Sequence, residues 1–189
     1  MRRTACNYML ACLALVAAGV PVRAAQAQSC PSPDRQPAIL DLLKADQDDA
    51  RLPPEQQTRR RNNRILRQHQ VIQLARCQRL ATGQEWYAAA LIMVHGDSED
   101  DFLAAMAYAK RALQKRPDLT HARKVLASAF DQLLIVRGQK QWFGTQYDLD
   151  GTLPIEPCVV TAQERQFMGV DETVIADQAL ANPACSVNE

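Results

Sequence analysis

Residues Asp131 to Glu156 read DQLLIVRGQKQWFGTQYDLDGTLPIE, and a change of pattern inside this stretch decides the fold. Before Gly138 the apolar residues recur every three or four positions, as on the buried face of an α-helix. Gly138 predicts the end of that helix, because glycine adopts the left-handed conformation of a C-terminal cap without steric cost. The aromatic and β-branched residues that follow, with the turn sequence DLDG at 148–151, predict a small β-hairpin at about residues 140–156.

The rest of the chain shows helical spacing of apolar residues, interrupted by proline, glycine and polar clusters. This pattern predicts helices over about residues 37–49, 55–80, 84–94, from 98 to before Pro117, from after Asp118 to 137, and over 160–168 and 171–180. The second is expected to bury Ile65, Leu66, Ile72 and Leu74, and the fourth Phe102, Leu103, Met106, Ala109 and Leu113. The predicted fold class is mainly α, an antiparallel helical bundle or helix-pair array with a small C-terminal β-hairpin.

One helix pair in this array resembles part of a tetratricopeptide repeat. The sequence AKRAL at 109–113, with Pro117 and then Ala122, is similar to the second helix of one unit and the start of the next. Only about one and a half units are recognisable, whereas a repeat solenoid generally needs three or more. The sequence therefore favours an antiparallel helix pair, in which small alanines allow close approach, over a true repeat array.

The first 27 residues have the pattern of a secretory signal peptide. Arg2 and Arg3 precede an apolar run over residues 8–20, and Ala25-Gln26-Ala27 supplies small residues for cleavage. The predicted domains are a signal peptide at 1–27, a flexible leader at 28–37, one helical domain at 38–181 and a tail at 182–189. We expect a periplasmic or secreted protein with no stable membrane span after cleavage, and lipid anchoring at Cys12 is the alternative.

The charge pattern argues against a nucleic-acid binder. The formal net charge of +1 falls to −2 when the three arginines of the signal peptide are removed, whereas nucleic-acid binders are usually strongly basic. The arginine-rich run at residues 59–64, with Arg67, is the exception. It is interpreted first as a solvated helix face balanced by Asp46, Asp48 and Asp49, with a patch for an anionic partner as the alternative.

Four cysteines remain after removal of the signal peptide: Cys30, Cys77, Cys158 and Cys185. In an oxidising compartment an even number of widely spaced cysteines predicts disulfides, for which three connectivities are possible. The preferred pairing is Cys30 with Cys77 and Cys158 with Cys185, which ties each irregular end to the helical body. No C-x-x-C spacing is present, so neither a zinc site nor thioredoxin-type redox chemistry is expected, and no metal or cofactor is predicted.

The run GQKQWFGTQ at 138–146, with Asp131 before it and Pro154-Ile155-Glu156 after it, resembles the C-terminal signature of an uncharacterised bacterial helical family, domain of unknown function 6624. This chain has Gln132 where the family usually has arginine, and Phe143 where it usually has tyrosine. The resemblance extends over about residues 38–171, through Leu42, Leu43, Asp46, Gln47, Arg51, Asn63, His95, Glu164, Arg165 and Gly169. After His95 this chain has Gly96 where the family tends to have alanine. The resemblance implies a helical fold and transfers no activity.

The signature supplies the candidate ligand-binding residues, which are Gln141, Trp142, Phe143, Thr145 and Gln146. Aromatic rings beside neutral donors and acceptors suit sugar or peptide ligands. Alternation along a strand would place one aromatic ring in the core and leave the other available. The competing interpretation is that Trp142 or Phe143 only fixes the hairpin to the helices.

His95 is the best candidate for chemistry, because imidazole changes charge near neutral pH and serves as a general base. A histidine that caps the last carbonyls of its own helix is the structural alternative. His69 and His121 are expected on polar helix faces. Asp131 is expected either to orient a histidine or, preferably, to form a salt bridge with Arg165, and these two residues are the other catalytic candidates.

Two functions from different classes follow from these features. The first is an exported binding or protein-interaction module whose hairpin helps to bind a protein or cell-envelope ligand; an inhibitor of an envelope-targeting toxin is one concrete version. The alternative is a cell-envelope hydrolase with His95 as general base and Asp131, Arg165 or Gln146 as its partners. The sequence leaves enzymatic activity open and favours the binding module.

Overall fold

The computed structural model of the chain describes residues 30–149 and 151–170, and it confirms a mainly helical protein with a small β-hairpin near the C-terminus. The helices are α1 (Ile39–Ala50), α2 (Gln57–Arg76), α3 (Gly83–Val94), α4 (Glu99–Lys115), α5 (Thr120–Val136) and α6 (Ala162–Phe167). Short 3-10 turns at Pro33–Arg35 and Pro54–Gln56 precede α1 and α2. The hairpin consists of β1 (Tyr147–Asp148) and β2 (Gly151–Thr152), paired antiparallel.

The helix ends follow from local sequence signals. Thr82 and Ser98 form capping boxes at the starts of α3 and α4. In each box the hydroxyl accepts from the backbone N–H three residues later, and the carboxylate of that later residue accepts from the backbone N–H of the cap residue. At the end of α5, Gly138 has φ +70°, and the amides of Gly138 and Gln139 donate to the carbonyls of Ile135 and Leu134. This is the Schellman arrangement, so the predicted glycine cap is confirmed.

Helix α3 lies at the centre of the bundle and contacts α1, α2, α4 and α5. Its large buried side chains include Trp86, Ile92 and Met93. The largest contact, between α3 and α4, is made through fully buried alanines: Ala88, Ala89, Ala90, Ala105, Ala109 and Ala112. Small side chains let the two backbones approach closely, so the predicted antiparallel alanine-rich pairing involves α3 as well as α5 around α4.

The predicted buried faces of α2 and α4 need correction. Leu66 is 61% exposed, and Ile65 and Leu103 are also exposed. Leu74 of α2 is buried as predicted, but the other buried positions of this helix are Arg67, Gln68 and Val71. The reason is that α2 meets its neighbours along a face where an arginine pairs with the carboxylates of α1, and this pairing takes the place of apolar contacts.

The hairpin has shorter strands than the pattern predicted. Among the described residues of the hairpin, Tyr147 pairs with Thr152 and Asp148 with Gly151, and Gln141 makes an isolated parallel bridge to Ile155. Residues 142–146 form a loop, so the strand-like alternation expected for this segment is not present. The loop forms because its backbone amides donate to a side chain of α5 and not to a neighbouring strand.

Cys30 and Cys77 form the predicted disulfide, with their Cα atoms 5.7 Å apart. The bridge attaches the segment that was predicted to be a flexible leader to the end of α2. The predicted Cys158–Cys185 bridge stays a prediction, because Cys185 lies outside the described residues, as do the signal peptide, the helix at 171–180 and the tail. None of the helices in the described part of the chain has the length and apolar character that a bilayer crossing requires.

Candidate functional site

Asp131 organises the loop of residues 138–146. Its carboxylate is fully buried and accepts hydrogen bonds from the backbone amides of Trp142 (2.8 Å), Phe143 (2.9 Å) and Thr145 (3.0 Å). The Thr145 hydroxyl donates a fourth bond, at 2.8 Å. A carboxylate with several backbone donors is the arrangement that stabilises a buried negative charge, so Asp131 holds the loop on α5.

Gln141 ties the loop to the hairpin. Its side chain is fully buried, and its amide nitrogen donates to the carbonyls of Gln146 (3.1 Å) and Leu153 (2.6 Å). Its amide oxygen accepts from the backbone of Gln146 at 2.9 Å. The Gln146 side chain in turn donates to the hydroxyls of Ser128 and Thr145, both at 2.9 Å. The polar groups predicted to bind a ligand here therefore make hydrogen bonds within the protein.

The two aromatic residues of the loop share one partner. Phe130 of α5 packs edge-on against Trp142 and Phe143, with ring centroids 5.0 and 6.1 Å apart. All three rings are half-buried. The expected division into one core ring and one available ring is thus not observed, because both rings are partly covered by the same neighbour.

Arg165 lies under the same loop. It is buried on α6, and its Nη2 donates to the carbonyl of Trp142 at 3.3 Å. Burial lowers the pKa of this guanidinium, and the nearby Asp131 opposes that shift. Within the described residues Arg165 makes this hydrogen bond and no salt bridge to Asp131, so the preferred pairing of the sequence analysis is replaced by a longer-range attraction.

His95 meets a different carboxylate from those predicted. It is the C-terminal cap residue of α3, and its side chain, 45% exposed, bonds through Nδ1 to Oδ2 of Asp46 at 2.6 Å. Asp46, on α1, is only 4% exposed. A carboxylate only accepts, so Nδ1 carries the proton and the basic nitrogen of the neutral imidazole is Nε2. The imidazole therefore does not cap the carbonyls of its own helix.

Arg67 of α2 fixes the carboxylate behind His95. Its Nη2 lies 3.1 Å from Oδ1 of Asp46, and its Nη1 lies 2.6 Å from Oδ2 of Asp49. Asn63 also donates to Asp49, at 2.9 Å. Burial alone would raise the pKa of Asp49, but the hydrogen bonds from Arg67 and Asn63 lower it below the usual value. The expected balance of Arg67 by Asp46 and Asp49 is thus observed, whereas Asp48 contacts Lys44 and Arg51.

His95 stands at the wall of a cleft of about 290 Å³, which we call the His95 cleft. The cleft is lined by Asp46, Ala50, Arg60, Arg64, Arg67, Val94, His95, Gly96, Asp97 and Gln132. Gln132 of α5 closes one side by donating to the carbonyl of Val94 at 3.1 Å. Two consecutive residues of α5 therefore belong to different sites, because Asp131 holds the loop and Gln132 lines the cleft.

His95 was predicted from the sequence as the candidate base, but the partners that surround it in the structure were not. Asp131, Arg165 and Gln146 were expected as its partners, and all three belong to the loop network instead. Asp46 was expected to balance the arginine-rich run of α2, and its contact with His95 was not predicted. Arg60, Arg64 and Arg67 follow each other at intervals of four and three residues, which places them on one helix face. That spacing was a signal for a charged cleft wall.

The described residues hold no group of three or more His, Cys, Asp or Glu side chains that could bind a metal ion. His69 and His121 are exposed, as predicted. Comparisons with protein-family models, with curated proteins and with solved structures found no match to this chain. The resemblances to domain of unknown function 6624 and to a tetratricopeptide pair stay predictions.

Proposed function

We propose that this chain is an exported hydrolase of cell-envelope material in which His95 is the general base and Asp46 orients it. The observation that carries the proposal is the 2.6 Å contact between His95 Nδ1 and the buried Asp46 carboxylate, at the wall of an open cleft. A base whose second nitrogen is fixed by a carboxylate presents the other nitrogen to substrate in a defined direction. This arrangement supports the enzyme more directly than any contact of the 138–146 loop supports a ligand site.

Arg67 helps to hold the Asp46 carboxylate in the orientation in which it contacts His95. It bonds to the Asp46 oxygen that His95 does not use, so the carboxylate cannot rotate away from the imidazole. Export supports envelope material as the substrate, and it is inferred from the N-terminal pattern. The Cys30–Cys77 disulfide is compatible with an oxidising compartment.

The test is turnover of fractionated envelope material by the purified exported protein, followed by mass spectrometry of the products. His95→Gln should lower the rate by about 10²-fold or more, the usual contribution of a general base. Asp46→Asn should also lower the turnover rate, because it disturbs the orientation of the His95 imidazole. The dependence of the rate on substrate concentration should stay similar. His69→Gln is the matched control, since His69 is an exposed histidine on α2 outside the cleft.

The proposal is contradicted if product formation persists in His95→Gln at the wild-type rate, or if His69→Gln loses as much as His95→Gln. Thermal unfolding of each variant must accompany the assay. Asp46→Asn leaves Arg67 with only part of its buried partner set, and an unfolded variant would give a false loss.

A second candidate, the binding module, is favoured by the aromatic surface of Phe130, Trp142 and Phe143. These rings are half-buried on a loop whose backbone is fixed by Asp131, so they form a rigid apolar and aromatic surface. Rigid aromatic residues are common anchors in protein interfaces. Co-purification from the native envelope tests it: Trp142→Ala should lose a partner that Leu103→Ala, an exposed apolar control on α4, retains.

A further inference from the structure

We propose that the His95 cleft takes a substrate through a small oxyanion group, a phosphate or a carboxylate, held by Arg60 and Arg64. This inference rests on the proposed function, because it assigns a substrate class to the same cleft. The cleft volume of about 290 Å³ is at the lower end of small-molecule sites, so it suits one substituent of a larger molecule.

The charges around the cleft leave one cation in excess. Asp46 and Asp49 are both taken by the buried Arg67. Asp97 is shared by Arg61, at 3.7 Å, and by Arg64, which bonds to it directly. Of the residues that line the cleft itself, three are arginines (Arg60, Arg64 and Arg67) and two are aspartates (Asp46 and Asp97).

Arg60 is the cation without a carboxylate. Its Nη2 donates to the backbone carbonyl of Leu52 at 2.6 Å, and within the described residues it makes no salt bridge. A carbonyl oxygen fixes the direction of the guanidinium but does not neutralise its charge. An oxyanion in the cleft would supply that missing negative charge.

Arg64 can exchange its present partner for a ligand. The side chain of Asp97 is 54% exposed, and ion pairs to exposed carboxylates are weak because water and salt compete for them. The Arg64 side chain itself is 21% exposed and lines the cleft, so it is sheltered enough to bind an anion. Planar guanidinium groups bind phosphate and carboxylate through paired hydrogen bonds.

The position of His95 gives this binding a consequence for catalysis. Arg60 and Arg64 come from α2, whereas His95 comes from the end of α3, and both walls face the same cleft. An anion held on the arginine wall would place the adjoining part of the substrate beside the imidazole. The arginines would therefore act as substrate-positioning residues.

The experiment follows the ring resonances of His95 by NMR during titration of the full exported chain. Inorganic phosphate and glutarate are the two probes, added at constant ionic strength against sodium chloride. The signals are assigned with His95→Gln. We expect a saturable shift in the wild type with at least one probe, and the stronger probe identifies the phosphate or the carboxylate class.

The variants Arg60→Gln and Arg64→Gln should each weaken binding by about tenfold, as expected for loss of one charge-assisted hydrogen-bond pair. Arg59→Gln is the matched control, because Arg59 lies on the same helix, contacts Gln56 and does not line the cleft. If Arg60→Gln fails to fold, because Leu52 loses its donor, Arg64→Gln decides alone.

A wild type that shows no saturable shift with either probe overturns the inference. Equal weakening in Arg59→Gln and Arg64→Gln also overturns it, because the effect would then be general charge attraction. The two proposals fail separately. If the wild type binds an anion but His95→Gln turns over substrate normally, only the general-base role of His95 is contradicted. If turnover depends on His95 but no anion binds, only the oxyanion assignment is contradicted.

Discussion

Among single residues, Asp131 and His95 differ in how many of their side-chain polar atoms are hydrogen-bonded within the protein. Both oxygens of Asp131 are taken by donors of one loop, and the residue is fully buried. His95 uses one ring nitrogen for Asp46 and is half exposed. A polar side chain with all its groups used internally stabilises structure, whereas one with a free nitrogen at a cleft can act on a ligand.

Asp131→Asn should destabilise the protein by about 2–4 kcal/mol. The amide turns one acceptor into a donor that faces a backbone N–H, so buried charge-assisted bonds are lost and one donor is left unpaired. Urea unfolding monitored through the fluorescence of Trp86 and Trp142 measures the change. Asp118→Asn is the control, because its carboxylate is exposed and pairs only weakly with Arg116. Equal stability of the two variants would mean that Asp131 does not hold the loop.

The partner of His95 shows why residue-level prediction reached only half of the site. A general base could be selected from its chemistry and its position before a glycine. Asp46 lies 49 residues away, and only the packing of α1 against α3 brings it to His95. Periodicity predicts which residues share a helix face, but it does not determine which other helix that face meets.

At the scale of elements, helix ends were predictable because the signal and the structure lie within a few residues of each other. Gly138 ends α5 with the conformation that its sequence required. Helix α2 ends in the same way but without glycine: Gln78 has φ 54°, and Arg79 donates to the carbonyl of Leu74 at 2.9 Å. The end of α2 therefore carries a conformation that a non-glycine residue adopts at a cost.

Gln78→Gly should stabilise the protein by about 0.5–1 kcal/mol. Relief of the left-handed conformation gains more than the added flexibility of the unfolded chain loses. Gly138→Ala is the matched change in the opposite direction at the end of α5 and should destabilise by about 1 kcal/mol. Chemical denaturation gives both values. A neutral or destabilising Gln78→Gly would show that its side chain makes a contact worth more than the strain.

The capping box of α3 should make stability depend on pH. Hydrogen bonds from the backbone amides of Thr82 (2.7 Å) and Ala81 (2.8 Å) lower the pKa of Glu85 below its usual 4.5. A lowered folded-state pKa means that the stabilisation is complete above pH 4.5 and is lost as pH falls through the folded value.

Thermal midpoints measured from pH 7 to pH 3 check this expectation. The wild type should lose stability below pH 4.5 more steeply than Glu85→Gln, which removes the titrating group at the cap. Glu55→Gln serves as the control, since Glu55 is an exposed residue of a 3-10 turn. Parallel curves for wild type and Glu85→Gln would assign the acid sensitivity to other carboxylates, such as Glu99 bonded to Arg137.

In the whole molecule, the helices pack around α3. The packing of alanine-rich helices could be predicted from the sequence, whereas the face that α2 buries could not. Close packing of small alanines was predictable between α4 and α5, and the structure shows it between α3 and α4 as well. The exposure of Leu66 and burial of Arg67 were not predictable, because they depend on the carboxylates that α1 places opposite α2. Charged side chains buried as pairs reverse the usual rule that apolar residues face inward.

The Cys30–Cys77 bridge closes a loop of 47 residues around α1 and α2, the two helices that supply Asp46 and Arg67. On the chain-entropy model such a bridge stabilises by up to about 4 kcal/mol, because it restricts the unfolded chain. The double variant Cys30→Ser/Cys77→Ser should therefore unfold about 10 °C below the wild type. In this double variant, local opening should increase more at the backbone amides around the His95 cleft than at those of the α3–α4 contact. Hydrogen exchange measures this difference.

Reductant separates this bridge from the predicted Cys158–Cys185 bridge. If only Cys30–Cys77 stabilises the fold, reductant will lower the wild-type midpoint to that of the double variant and will leave the double variant unchanged. A further fall in the reduced double variant would show that a second disulfide contributes, and peptide mapping would identify its cysteines. A double variant as stable as the oxidised wild type would contradict the entropic role and would show that the noncovalent contacts between α1 and α2, such as the salt bridges of Arg67, are sufficient.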